Sequence, residues 1–92
     1  MSDATKIIRC IVAAINPNGE PDLYFVKVRC TEEDIDNGYH YATARNEAER
    51  NGYEPKMAMD ENDAAGRAVL DKFEWDTASV VDVFYKPTPR SE

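Results

Sequence analysis

Two runs of β-forming residues, Lys6 to Ile15 and Leu23 to Cys30, flank the segment Asn16-Pro17-Asn18-Gly19-Glu20-Pro21-Asp22. Branched and aromatic side chains suit a pleated, half-buried strand, whereas prolines, glycine and Asx residues suit a turn. The start of the chain is thereby restricted to an antiparallel ribbon whose connection is longer than a two-residue hairpin.

Strand residues alternate between faces. One face of the ribbon carries Ile8, Cys10, Val12, Ala14, Tyr24, Val26, Val28 and Cys30, and is apolar enough to need a helical cover. The other carries Ile7, Arg9, Ile11, Ala13, Leu23, Phe25, Lys27 and Arg29, with bulky apolar groups among its charges. A solvated antiparallel face is usually cleaner than this, and a contiguous mixed patch on a small protein often marks an interface. The competing explanation is that large side chains simply lie beneath long Arg and Lys stems. Pairing Ile15 with Leu23 sets Arg9 opposite Arg29, an unfavourable match that needs an acid such as Asp82, a partner carboxylate or an anion. A shift of two residues keeps both faces and sets Cys10 opposite Cys30 instead.

Thr31 is placed to cap a helix, with Glu32, Glu33 and Asp34 at its positive end and a capping-box spacing to Asp34. Asn37-Gly38 interrupts or kinks it, Tyr39 to Arg50 resumes the pattern, and Asn51-Gly52 stops it, with Gly52 suited to a left-handed cap and Tyr53 folding back on Ala48. Pro55 makes Tyr53 to Met59 ambiguous, with a short strand an option near Lys56–Met59. Asp60 to Asp63 offers caps for a second helix with an apolar stripe of Ala64, Ala65, Ala68, Val69, Leu70 and Phe73, and Trp75 closes the core beyond it. Ser79 to Lys86 reads as a last strand that adds Val80, Asp82, Phe84 and Lys86 to the mixed face.

The order is strand, strand, helix, helix, strand. The expected fold is an α+β two-layer sandwich, an antiparallel hairpin and a C-terminal strand packed against two helices. Ninety-two residues make a single domain, 1–92, with 1–5 and 87–92 as flexible termini.

Charge is partitioned along the chain. Thr31 to Asp76 carries thirteen acids against five bases, whereas Met1 to Cys30 is net +1 and the whole chain −7. An acidic helical side and a neutral-to-basic sheet follow. Bulk attraction to nucleic acid or to anionic membrane is disfavoured, no run is long enough to span a bilayer, and the start lacks a signal-peptide pattern. The expected compartment is the cytoplasm.

Motifs for catalysis are missing: no phosphate loop, dinucleotide fingerprint, HExxH, nucleophile elbow or kinase signature occurs. Cys10 and Cys30 read as buried free thiols rather than a disulfide, a zinc pair or a nucleophile. His40, the one histidine, reads as a partly exposed residue on a helix flank, with no support for a Cys–His pair or a charge-sensing role beyond residue type. The acids at the helix starts are explained by capping, and Asp60-Glu61-Asn62-Asp63 lacks the continuation of a calcium loop. No metal or cofactor is expected.

The leading expectation is a small acidic, non-catalytic, regulatory protein. Its interaction surface would be Ile7, Arg9, Ile11, Leu23, Phe25, Lys27, Arg29 and Phe84, engaging a second copy or another protein. The alternatives are a nucleic-acid-binding module on the same basic-aromatic face, an acidic inhibitor whose helices imitate nucleic acid, and a small-molecule or catalytic role near His40.

Overall fold

The computed structural model describes residues 4–72 and 74–83. Strands β1 (Thr5–Ile15) and β2 (Pro21–Thr31) form the hairpin, followed by helices α1 (Glu32–Asp36) and α2 (Tyr39–Arg50). Strand β3 (Glu54–Asp60), helix α3 (Ala64–Leu70), a 3₁₀ turn (Trp75–Thr77) and strand β4 (Val80–Asp82) complete the order. The α+β architecture is the expected one, and the ambiguous stretch after Tyr53 is a strand. β1 begins at Thr5, inside the segment expected to be a flexible terminus. Phe73, Phe84 and the expected strand and tail residues from 84 onward lie outside the described residues.

Local signals set most element ends. The Thr31 hydroxyl accepts from the Asp34 N–H (3.1 Å) and the Asp34 carboxylate accepts from the Thr31 N–H (3.0 Å), closing the capping box. α2 ends in a Schellman motif. Gly52 sits at φ +88, its N–H donates to Glu49 O, and the Tyr53 N–H donates to Ala48 O.

The hairpin adopts neither of the two expected registers. Ile15 pairs with Pro21, so Arg9 faces Lys27 and Cys10 faces Val26. The turn is responsible. Asn16 Oδ1 accepts from the Asn18 and Glu20 N–H groups, the Gly19 N–H returns to Asn16 O, and Gly19 takes φ +85, leaving Pro21 free to open β2.

The sheet order is β3-β1-β2-β4. β1 runs antiparallel to both β2 and β3, so β2 and β3 are parallel, and β4 is parallel to β2. Parallel neighbours require crossover connections over a sheet face. The first crossover, α1 with α2, moves from β2 to β3, and the second, which carries α3 and the 3₁₀ turn, moves back across the whole sheet to β4. Crossovers of one hand travelling in opposite directions lie on opposite faces. Both faces are therefore covered, where an open second face was expected.

On the first face Ile8, Cys10, Val12, Ala14, Val26, Val28 and Cys30 pack with Ala44 and Ala48 of α2. Val81 and Val83 extend this core from the β4 side. No helix among the described residues is long and apolar enough to cross a membrane.

Candidate interaction surface

The register lays the second face out in cross-strand rows. Ile7 stands beside Arg29 and Asp82, Arg9 beside Lys27 and Val80, Ile11 between Met59 and Phe25, and Ala13 between Met57 and Leu23. Ile7, Arg9, Ile11, Leu23, Phe25, Lys27 and Arg29 thus share one face, as expected, whereas Phe84 lies outside the described residues.

They do not form one open surface. Ile11 is 0 % exposed, so it is removed from the contact set. The returning crossover closes over its row, with Leu70 buried and the Trp75 ring edge-on to Phe25 at 5.5 Å. Trp75 is anchored from below by donating its indole N–H to Leu70 O (2.8 Å). Phe25 is half-buried by this contact and is no free platform for stacking.

The cations of the face are also engaged. Glu61 Oε1 accepts from Arg9 Nε (3.2 Å) and from the Arg9 N–H (3.0 Å), while the Arg9 guanidinium lies 5.7 Å from the Trp75 ring centroid. Arg29 donates to Asp82 Oδ1 at 2.7 Å, although the Arg9–Arg29 pairing that called for an acid is not formed. The acidic block therefore reaches the sheet as well as the helical side, because Glu61 arrives with the second crossover.

What stays exposed lies at the two ends. The exposed large apolar side chains among the described residues are Met57 (57 %), Ile7 (48 %) and Val80 (40 %), and all three belong to second-face rows. At the turn end an open apolar recess of about 420 Å³ is lined by Ala13, Ala14, Ile15, Pro21, Leu23 and the charged Asp22 and Lys56. Its shape follows from the sequence: Ala13 is a small residue between Leu23 and Met57, and a bulge at Ala13/Ala14 bends β3 past it. At the other end a polar recess of about 230 Å³ is bounded by Arg9, Glu61, Asn62, Arg67, Leu70 and Asp71.

His40 is the main correction among the candidate chemical groups. It is 1 % exposed, not a partly exposed flank residue. Its Nε2 donates to Asp60 Oδ2 at 2.8 Å, and Asp60 is itself buried at the end of β3, opposite Cys10. The Tyr41 hydroxyl bridges Asp60 Oδ2 (3.1 Å) and Asp63 Oδ2 (3.0 Å), and the Asn62 N–H donates to Asp60 Oδ1 (2.8 Å). Asp63 occupies the α3 cap position, yet its carboxylate accepts from the Asp60 N–H rather than from the helix. Burial raises the Asp60 carboxyl, but the hydrogen bonds from His40, Asn62 and Tyr41 outweigh it and hold the group below its ordinary value. The same enclosure, with the Asp63 and Asp60 carboxylates, pushes the Tyr41 phenol up. His40 Nδ1 and Thr43 Oγ1 are buried without a hydrogen-bond partner.

This cluster joins α2, β3 and the start of the second crossover, and neither recess is lined by His40, Tyr41 or Asp60. Its position is that of a structural tie. Cys10 and Cys30 are buried free thiols, and burial pushes both away from the thiolate form. Among the described residues no group of three or more His, Cys, Asp or Glu is placed to hold a metal ion. Compared with protein-family models, curated proteins and solved structures, the chain matches none.

Proposed function

We propose that this chain is a small protein–protein interaction module, without a reaction of its own, that associates through the exposed ends of its second sheet face. One observation carries the reading: Ile7, Met57 and Val80, the exposed large apolar groups among the described residues, all stand on that face. Exposed apolar groups that all belong to one face of a small fold favour association. The enclosed His40 and the raised thiols support a non-catalytic role, since the groups best suited to chemistry are locked in the core. The reading sets the protein in the cytoplasm, where free thiols such as Cys10 and Cys30 are the ordinary state.

A partner protein and a second copy of the chain both satisfy this geometry. Nucleic acid is less well supported, because Arg9 and Arg29 already have carboxylate partners and Trp75 packs against the Phe25 ring. The test is the solution mass across a concentration series, measured for wild type and for the Ile7→Glu/Met57→Glu double variant. A mass that rises toward a dimer in wild type and stays monomeric in the folded variant supports self-association. Loss of affinity for a partner in the variant alone supports a heterologous interface. A wild type that is monomeric throughout, and whose folded double variant binds every partner unchanged, refutes the reading.

A further inference from the structure

At the β3 edge of the sheet, the backbone groups that point outward follow from strand alternation. In an antiparallel pair, successive residues turn both backbone groups toward the neighbour and then away from it. The Asp60 N–H donates to Asp63 Oδ2 (2.9 Å) and Asp60 O accepts from the Asp63 N–H (3.0 Å), so Asp60 is turned away from β1. Met59 and Met57 are then turned inward and Ala58 outward. On β1 the Arg9 N–H reaches across to Glu61, so Ile11, Ala13 and Ile15 face β3 and Ala14 faces away. Pro55, opposite Ala14 beyond the bulge, is therefore outward as well.

We propose that Pro55, Lys56 and Asp63 together close this edge to strand addition, so that no second chain extends the sheet from β3. Pro55 has no N–H to give. Both outward groups of Asp60 are taken by Asp63, whose carboxylate and N–H stand where a neighbouring strand would. This is the use of a residue that sits at the α3 cap position without capping the helix through its side chain. Among the described residues, Ala58 is left as the one outward position with both groups open to a partner, and a single position does not hold a strand. Lys56, the extra residue of the bulge, is exposed and paired with Glu54 Oε2 at 2.7 Å, charges that an incoming strand would have to desolvate. The protection answers a hazard in the sequence. Met57-Ala58-Met59 is an apolar run on an edge strand, with Met57 57 % exposed, and such an edge templates pairing when left bare. Association is thereby confined to side-chain surfaces, whichever of them a partner meets.

The test follows amide hydrogen exchange by NMR and solution mass over a concentration series, on the full chain. In wild type the Ala58 amide is expected to exchange about tenfold faster than those of Met57 and Met59, at every concentration. The Pro55→Val/Lys56→Val double variant restores a donor and removes the charge. It is expected to gain mass as it is concentrated, with Ala58 exchange slowing by about tenfold. Adding Ala58→Pro deletes an outward N–H and returns the chain to the wild-type mass. Asp63→Ala uncovers the Asp60 N–H, whose exchange quickens by about tenfold. Circular dichroism verifies folding, and Pro55→Val or Lys56→Val alone is read in the same way if the double variant does not fold.

Protection of the Ala58 amide that grows with wild-type concentration overturns the proposal, because the edge is then open and in use. A folded double variant that matches wild type in mass and in Ala58 exchange also overturns it, as does one that gains mass while Ala58 stays exposed. Unchanged Asp60 exchange in folded Asp63→Ala refutes the part assigned to Asp63. Self-association of wild type through Ile7 and Met57 side chains leaves Ala58 exchange untouched, so failure of the second-face reading and failure of this one are told apart.

Discussion

Asp60 concentrates more of the fold's polar order than any neighbour. It accepts from His40, Tyr41 and Asn62 while its own N–H donates to Asp63. Removing the carboxylate strands the buried His40 Nε2, so Asp60→Ala is expected to cost about 3–5 kcal/mol in chemical denaturation. The pH dependence has a definite sign. Asp60 is held below its ordinary value of 3.8, so its stabilisation is complete above that value and is lost as pH falls through the lower folded value. Wild type should therefore lose more stability between neutral and acid pH than Asp60→Asn, and parallel pH profiles would contradict the assignment. His40 was only half legible in the sequence. It shares a helical stripe with Thr43, Ala44 and Ala48, all buried, and that spacing marks it as inward-facing. Its polar surroundings pointed outward, and Asp60 lies twenty residues away on another element, a pairing that no local pattern encodes.

At the scale of elements, the close approach of α3 to β3 depends on Gly66. A Cβ built there would lie 2.6 Å from Asp60 O, a backbone atom that cannot swing aside. Alanine would gain about 1 kcal/mol of helix propensity, but forcing the α3–β3 contact apart costs about 1–3 kcal/mol. Gly66→Ala should on balance lower the denaturation midpoint, and an increase would show that the approach is looser than the backbone indicates. Elements with local signatures were readable: the Thr31 capping box, the Gly52 stop and the alternation of β1 and β2 all appear where the residues put them. β3 was ambiguous because Pro55 weakens any strand reading. Pro55 is tolerated because, among the described residues, β3 is an edge strand paired with β1 on one side. The hairpin register was missed for a similar reason, since Asn16 side-chain hydrogen bonds decide it rather than the apolar pattern.

For the whole molecule, the decisive feature is the pair of crossovers on opposite faces. The expected open face assumed that all helices share one layer, and strand order, which settles this, is a non-local property. Ile11 shows the result: its alternation was read correctly, yet it is fully buried on the face where Trp75 of the returning crossover packs against its row neighbour Phe25. Trp75 packs on Phe25 and Arg9 of this face, so Trp75→Ala should cost about 2–4 kcal/mol, below the value for a fully buried aromatic, and increase binding of an apolar dye. Unchanged stability and dye binding would mean that the face is held closed by other contacts. The arrangement also imposes an order in time. Hairpin β1–β2 closes a five-residue loop, whereas β4 can lie beside β2 only once the crossover has wrapped round; Arg29 meets Asp82 fifty-three residues along the chain. With three paired residues among those described, β4 is expected to lock last and fray first, which would set the earliest and latest contacts of folding side by side on β2.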